Sequence, residues 1–224
     1  MDRDTAELFR SNLEHAKLFQ DRFSDVQDSQ SPDYVTVCCS DSRVLQDHMW
    51  GNEHPGEVFT CGNIGNRVFQ NSDGRKVVSG DVLYPVAHTD TDTIIVVGHT
   101  GCGAVTATYK HLKDGLDEPE GIMSCIELLK DSVGKGLEEL PEDIREDEAI
   151  NRLVEYNVDH QVDFLLNSED ISEETTVIGA VYDFQDVYSG SRGELHIINI
   201  DGDTDVSELK NKHGEVMDRV ERLT

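Results

Sequence analysis

Basic residues are scarce in this chain. Eight lysines and eleven arginines face 46 aspartates and glutamates, a formal net charge of −27. So acidic a surface repels nucleic acid and anionic membranes, and neither is expected as a partner. The acidity runs through the whole sequence, with local maxima at "ELPEDIREDEA" and "NSEDISEE", rather than collecting in a tail. Together with so few lysines, this is the pattern expected of a halophilic protein, whose carboxylates stay hydrated while counter-ions screen their repulsion. Long apolar runs are missing too. No stretch reaches the roughly 18 apolar residues of a membrane span. The opening "MDRDTAELFR" lacks the apolar core of a secretion signal, so a cytoplasmic location is expected. Cysteines are few and odd in number: Cys38, Cys39, Cys61, Cys102 and Cys125. That argues against a disulfide framework and for reduced thiols or thiolates on a metal. Internal repeats and low-complexity tracts are absent. At 224 residues the chain suits a single domain, 1–224, with an arm over 1–29.

What is present alternates between strand and helix patterns. Residues 4–23 place Leu8, Phe9, Leu13, Leu18, Phe19 and Phe23 near helical spacing, which predicts an amphipathic arm in need of a surface to cover. "DSQSPD" breaks it. "YVTVCC" reads as a buried strand and "VFTCGN" as a second, shorter one. "NSDGRK" is a turn. Residues 77–89 predict a helix, which Pro85 disturbs. "DTIIVVGH" is the clearest strand, and the segment after it reads as a helix closed by Gly115. Residues 116–140 look like a looser mixture of helix and loop. A long amphipathic helix follows over 147–168, then strands at 175–184 and 193–200, then a weakly helical tail. This alternation predicts an α/β fold with a mostly parallel central sheet flanked by helices.

In such sheets ligands collect beyond the carboxyl ends of the strands. One strand here ends in Cys38–Cys39, and another in "GHTGCG", which carries His99 and Cys102. H-x-x-C lets a short loop turn both side chains toward one ion. A cysteine from the first strand would complete a Cys2His set with one position open, the ligand count of catalytic rather than structural zinc. A lone H-x-x-C is more often coincidence, and buried cysteine is common. Two such coincidences at one sheet edge are much less so.

"CSDSRV" at 39–44 and "GHTGCGAV" at 98–105, sixty residues apart from Cys39 to His99, resemble the two signature motifs of the β-class carbonic anhydrases. "PGEVF", "GNIGN" and "LYPVAH" look like the blocks between them, in order, so the resemblance is clear over roughly residues 30–110. It implies one Zn²⁺ per subunit, held by Cys39, His99 and Cys102. It also implies hydration of CO₂ to bicarbonate by zinc-bound hydroxide, oriented by an Asp41–Arg43 dyad. In the family that aspartate can swing onto zinc when the arginine lets go. Gln30, Phe59, Tyr84 and Gly103 match substrate-pocket positions of the plant-type branch, with Phe59 and Tyr84 reaching the pocket from a partner subunit. The arm would then pack across that subunit, in a homodimer or higher homo-oligomer. Strand neighbours point to opposite faces, so Cys38 and Cys39 cannot easily share an ion. Cys39 holds the motif's register, and Cys38 reads as a buried thiol.

The pattern is not complete. Gly62 stands where the family usually has arginine, Thr36 where the bicarbonate-sensing branch has tryptophan, and Leu83 where a glutamate often precedes the tyrosine. Bicarbonate inhibition of that branch's kind is therefore not expected. His48, His54, His88 and His111 have no partner at metal spacing and read as surface residues, as Cys61 and Cys125 read as small hydrophobes. Two other functions fit the same residues: hydrolysis of carbon disulfide or carbonyl sulfide, and a non-catalytic paralogue with a structural zinc. A thiol redox protein is the weakest alternative, since a vicinal disulfide would strain the backbone and consume a ligand.

Overall fold

A computed structural model describes residues 3–224. The apolar runs at 34–39 and 93–99 form strands β1 (Tyr34–Cys39) and β5 (Thr93–His99) at the centre of a five-stranded sheet. Outside β1 lies β2 (Val58–Asn63); outside β5 lie β6 (Thr176–Asp183) and β7 (Glu194–Ile200), giving the order β2-β1-β5-β6-β7. The first four strands run parallel, in register Val35↔Ile94, Cys38↔Val97 and His99↔Tyr182. β7 is antiparallel to β6, because the loop 184–193 is too short for the crossover that a parallel partner needs.

Successive side chains on the central strands bury to opposite faces. Val35, Val37, Cys39 and Val96 join the large core, whereas Cys38, Val97 and Tyr182 join a smaller cluster with Val44, Met49, Trp50 and Phe184. The large core lies beneath α3 (Gly103–Asp114), α4 (Glu120–Glu139) and α5 (Glu146–Leu166). α5 packs unusually close. A Cβ on Gly98 would sit 2.7 Å from Val154 and Val158, one on Gly179 would sit 2.8 Å from Val158, and one on Gly136 would sit 2.7 Å from Tyr156. Glycine at these places lets a sheet and a neighbouring helix approach the same helix directly.

Two sequence expectations need correcting. Residues 77–89 are not one helix: Val77 and Val78 close a hairpin of β3 (Phe69–Ser72) and β4 (Arg75–Val78), and α2 begins only at Gly80 (Gly80–His88). The hairpin turns at Asp73–Gly74, both with positive φ, within what reads in sequence as an isolated turn. Pro85 lies inside α2 and leaves the Asp81 carbonyl without its helical N–H. The Cys61 thiol donates to that carbonyl at 3.4 Å. Cys61 is thus more than a small hydrophobe. The region 116–140 is tighter than expected, most of it forming the 20-residue helix α4, whose Ile126, Leu129 and Val133 are buried at helical spacing.

The arm forms α1 (Arg3–Phe19) and buries none of its residues; Leu8, Phe9, Leu13 and Leu18 are all more than 60% exposed. A short helix, α6 (Val206–Lys212), precedes the tail. Among the described residues no helix is long and apolar enough to cross a membrane.

Candidate metal centre

Because β1 and β5 are adjacent and parallel, Cys39 and His99 end at the same sheet edge. The chain then turns through Thr100–Gly101 and enters α3, which places Cys102 at that helix's N-terminus. The donor atoms of Cys39, His99 and Cys102 lie within 4.8 Å of one another, and all three residues are buried. Gly101 makes the turn at φ +61°, where a Cβ would meet the Gln185 side chain at 2.6 Å. The Gly101 N–H donates to Asn151 Oδ1 of α5 at 2.8 Å.

The donor set fits a metal on structural grounds. His99 Nδ1 lies 3.0 Å from the Thr100 carbonyl, which can only accept, so that nitrogen carries the proton. Nε2 is then a bare lone pair, and it is buried with no hydrogen-bond partner. A buried polar atom left in this state is costly unless something absent from the protein satisfies it. The Cys39 thiol is held well below its ordinary range by the hydrogen bond from Cys102, helped by the Gly65 N–H. Cys102 is correspondingly raised, through its bond to Cys39 and its burial. Two thiolates and a neutral imidazole suit a soft, tetrahedral divalent ion such as Zn²⁺. Cys38 is different. Burial pushes its thiol up to about 12, and it lies in the other core cluster.

Beside the cluster, Arg43 holds Asp41 in a fork: Nε donates to Oδ1 at 2.8 Å and Nη2 to Oδ2 at 2.6 Å. The Arg43 hydrogen bonds keep the Asp41 carboxyl well below the usual range. Asp41 Oδ2 is 3.9 Å from His99 Nε2, so the carboxylate borders the position a metal would take. Gly103 opens α3 with nothing within 4 Å of where its Cβ would be. Phe59 and Tyr84 form a separate pair, ring centroids 6.4 Å apart, with Tyr84 51% exposed. Gln30 lies exposed in the coil before β1. At Gly62, the space an arginine would enter is taken by the Gln46 side chain, 2.9 Å from a Cβ there.

The end of β6 supplies residues that sequence reasoning did not find. Asp183 accepts the Thr100 hydroxyl at 3.2 Å and the N–H groups of Gln185, Val187 and Tyr188. Burial opposes its ionisation, but those four donors prevail and hold its carboxyl below the ordinary range. Phe184 stacks near the His99 ring, and Arg43 lies over its face. The available signal was positional: β6 pairs with β5 through His99↔Tyr182, so "DF" falls at the same carboxyl edge. A group with a depressed folded value stabilises above the ordinary aspartate value of about 3.9 and loses that contribution as pH falls through the folded value. Asp183→Asn is therefore expected to flatten the fall of stability between about pH 5 and 3, measured by urea unfolding. An unchanged slope would show that Asp183 contributes nothing.

The sequence profile of the family described as "Carbonic anhydrase" matches residues 34–191. Beta carbonic anhydrase 5, chloroplastic, of Arabidopsis thaliana is 25% identical over 191 residues, covering 78% of this chain and 61% of that protein. The chain spans 31% of a second A. thaliana relative, beta carbonic anhydrase 6, mitochondrial, at 32% identity over 91 residues. It thus covers less than two thirds of either relative. Among solved structures, a Coccomyxa β-carbonic anhydrase in complex with acetazolamide superposes with TM-score 0.71 at 27% identity, covering 94% of this chain and 92% of that one.

Proposed function

This chain belongs to the β-class carbonic anhydrase family, and from that premise we propose that it catalyses the reversible hydration of carbon dioxide to bicarbonate and a proton. The observation that carries the reading is the buried, unpartnered His99 Nε2 facing two cysteine sulfurs, beside a carboxylate clamped by arginine. Cys39, His99 and Cys102 would hold one Zn²⁺ per subunit, which would supply a bound water more acidic than bulk water. Asp41 is acceptor-only when ionised, and with three donors from Arg43, its backbone N–H among them, it would keep one acceptor site free for that water and orient it toward carbon. Arg43 keeps Asp41 ionised and draws it away from the ligand cluster. The Gly103 N–H, at the first turn of α3, has no helical acceptor and no side chain before it, so it can donate to a substrate oxygen.

Gln30, Phe59 and Tyr84 complete the pocket in an assembly. Phe59 lies on edge strand β2, and Tyr84 is half exposed beside it, as suits side chains presented to a second copy. The bare apolar face of α1 would cover part of that copy, in a homodimer or larger homo-oligomer.

The test is zinc quantified per chain, with stopped-flow hydration of CO₂ and turnover of CS₂ measured on the same preparation. About one zinc per chain and CO₂ hydration well above the uncatalysed rate are expected. Turnover of CS₂ without CO₂ hydration would reassign the substrate. Stoichiometric zinc with no turnover of either would leave a structural site.

A further inference from the structure

Phe184 opens the loop after β6, and its ring touches two different parts of the site. The His99 ring is 5.5 Å away at 25°, and Arg43 Cζ stands 4.5 Å from the Phe184 centroid. Its backbone is tied to the same place: the Phe184 N–H donates to Thr100 Oγ1 at 3.3 Å, and that hydroxyl donates to Asp183. The ring is thus fixed relative to the ligand loop, independently of Arg43. We infer that Phe184 is a positioning residue for the reaction proposed above: a platform that holds the Arg43 guanidinium in the orientation that grips Asp41.

The need for a platform follows from the exposure of the clamp. The Arg43 side chain is 50% exposed, and its remaining contact is a 3.5 Å approach to the Gly101 carbonyl. A long, rotamer-rich side chain in contact with water loses much entropy when held in one geometry, and such pairs are weak. A flat aromatic face beneath the guanidinium is worth about a twofold to fivefold change in the gripped population, equivalent to roughly 0.5–1 kcal/mol. When Arg43 leaves, Asp41, bordering His99 Nε2 at 3.9 Å, is free to turn into the ligand cluster and displace the reacting water. Occupancy of the platform therefore sets the fraction of molecules with the nucleophile's place open. The competing role is space-filling, since Phe184 also packs against Tyr182 in the smaller core cluster, at 6.1 Å between centroids. Leucine can fill that space but offers no π face.

The inference rests on the carbonic anhydrase reading, and the experiment separates the two. In the full-length, zinc-loaded protein, Phe184→Leu and Phe184→Tyr are compared with wild type by CO₂ hydration, zinc content, thermal unfolding and the Arg43 Nε–Hε NMR resonance. The wild-type resonance is expected to show the upfield shift of a proton above an aromatic face. Phe184→Leu should lose that shift and about two- to fivefold in kcat/KM, at unchanged zinc content and melting temperature. Phe184→Tyr should restore both. A leucine variant with wild-type kcat/KM overturns the inference, as does a loss that follows zinc or thermal stability and that tyrosine does not rescue. An inactive wild type would instead overturn the hydration reading. The Arg43 resonance would still report whether Phe184 holds the guanidinium.

Discussion

Serine in place of Cys39 is expected to abolish both metal binding and turnover, whereas serine in place of its neighbour Cys38 should leave both intact. The two residues are one position apart in the sequence and a whole sheet face apart in the fold. Cys39 faces His99 and Cys102, and its thiol is already biased toward the thiolate by the Cys102 hydrogen bond. A serine hydroxyl is neither ionised at neutral pH nor soft, so it is a far poorer ligand for zinc than thiolate. Losing one of three protein ligands also leaves His99 Nε2 buried and unsatisfied, which adds a folding cost of about 1–3 kcal/mol. Cys38 is fully buried among Val44, Val97 and Tyr182, and burial keeps it a neutral thiol. Serine there costs on the order of 1 kcal/mol of stability through a buried hydroxyl, without touching the site. Zinc per chain after gel filtration, with CO₂ hydration on the same samples, reads the contrast. Equal zinc in the two variants would refute the assignment of Cys39 as the ligand.

The second large effect is expected at Asp41. Asparagine keeps the shape of the side chain but replaces one acceptor oxygen with an NH₂, which turns a donor toward the donors of Arg43 and leaves a neutral group beside the reacting water. The fork of two charge-assisted bonds is lost, along with the acceptor that orients the water. Orientation and proton-accepting effects of this kind are worth about 10²–10⁴-fold, so kcat/KM should fall by at least about 10². Zinc content should stay at the wild-type level, because Asp41 is not among the three clustered donors. Stopped-flow hydration of the zinc-replete variant checks this. A rate within threefold of wild type would remove Asp41 from the mechanism.

Much of this site was legible before the fold was known, for a physical reason. "VTVCC" and "TIIVVGH" are short, largely apolar, β-branched runs that read as buried strands, and parallel strands gather their carboxyl ends at one edge. Those two facts bring the Cys38–Cys39 end to the same edge as His99 and Cys102, and the register of the family motif selects Cys39. What stayed hidden depends on contacts distant in sequence. Phe184 and Asp183 matter because β6 pairs beside β5, which no local pattern in "VYDFQD" announces. Helix α4 read as loose because Gly134 and Gly136 interrupt its pattern, yet Gly136 is where α5 presses against it. The hairpin at 69–78 was absorbed into a turn and a helix because its strands are only four residues each. The Cys61 bond to the Asp81 carbonyl could not be read from either residue alone, since it answers a donor that Pro85 removed twenty-four positions later.

The close seating of α5 has a consequence for how the chemistry is kept in place. This helix supplies no group to the reaction, yet Asn151 ties down Gly101, Asn157 and Gln161 bind the backbone at Gly65 and Val68, and Glu155 holds Tyr188 in the loop that Phe184 begins. One rigid body thus acts as a jig for three separate loops. Because it is fitted without slack against Gly98, Gly136 and Gly179, a small rotation would carry all three loops together. The tolerance of the metal centre is set in a helix that contributes none of the three clustered donors.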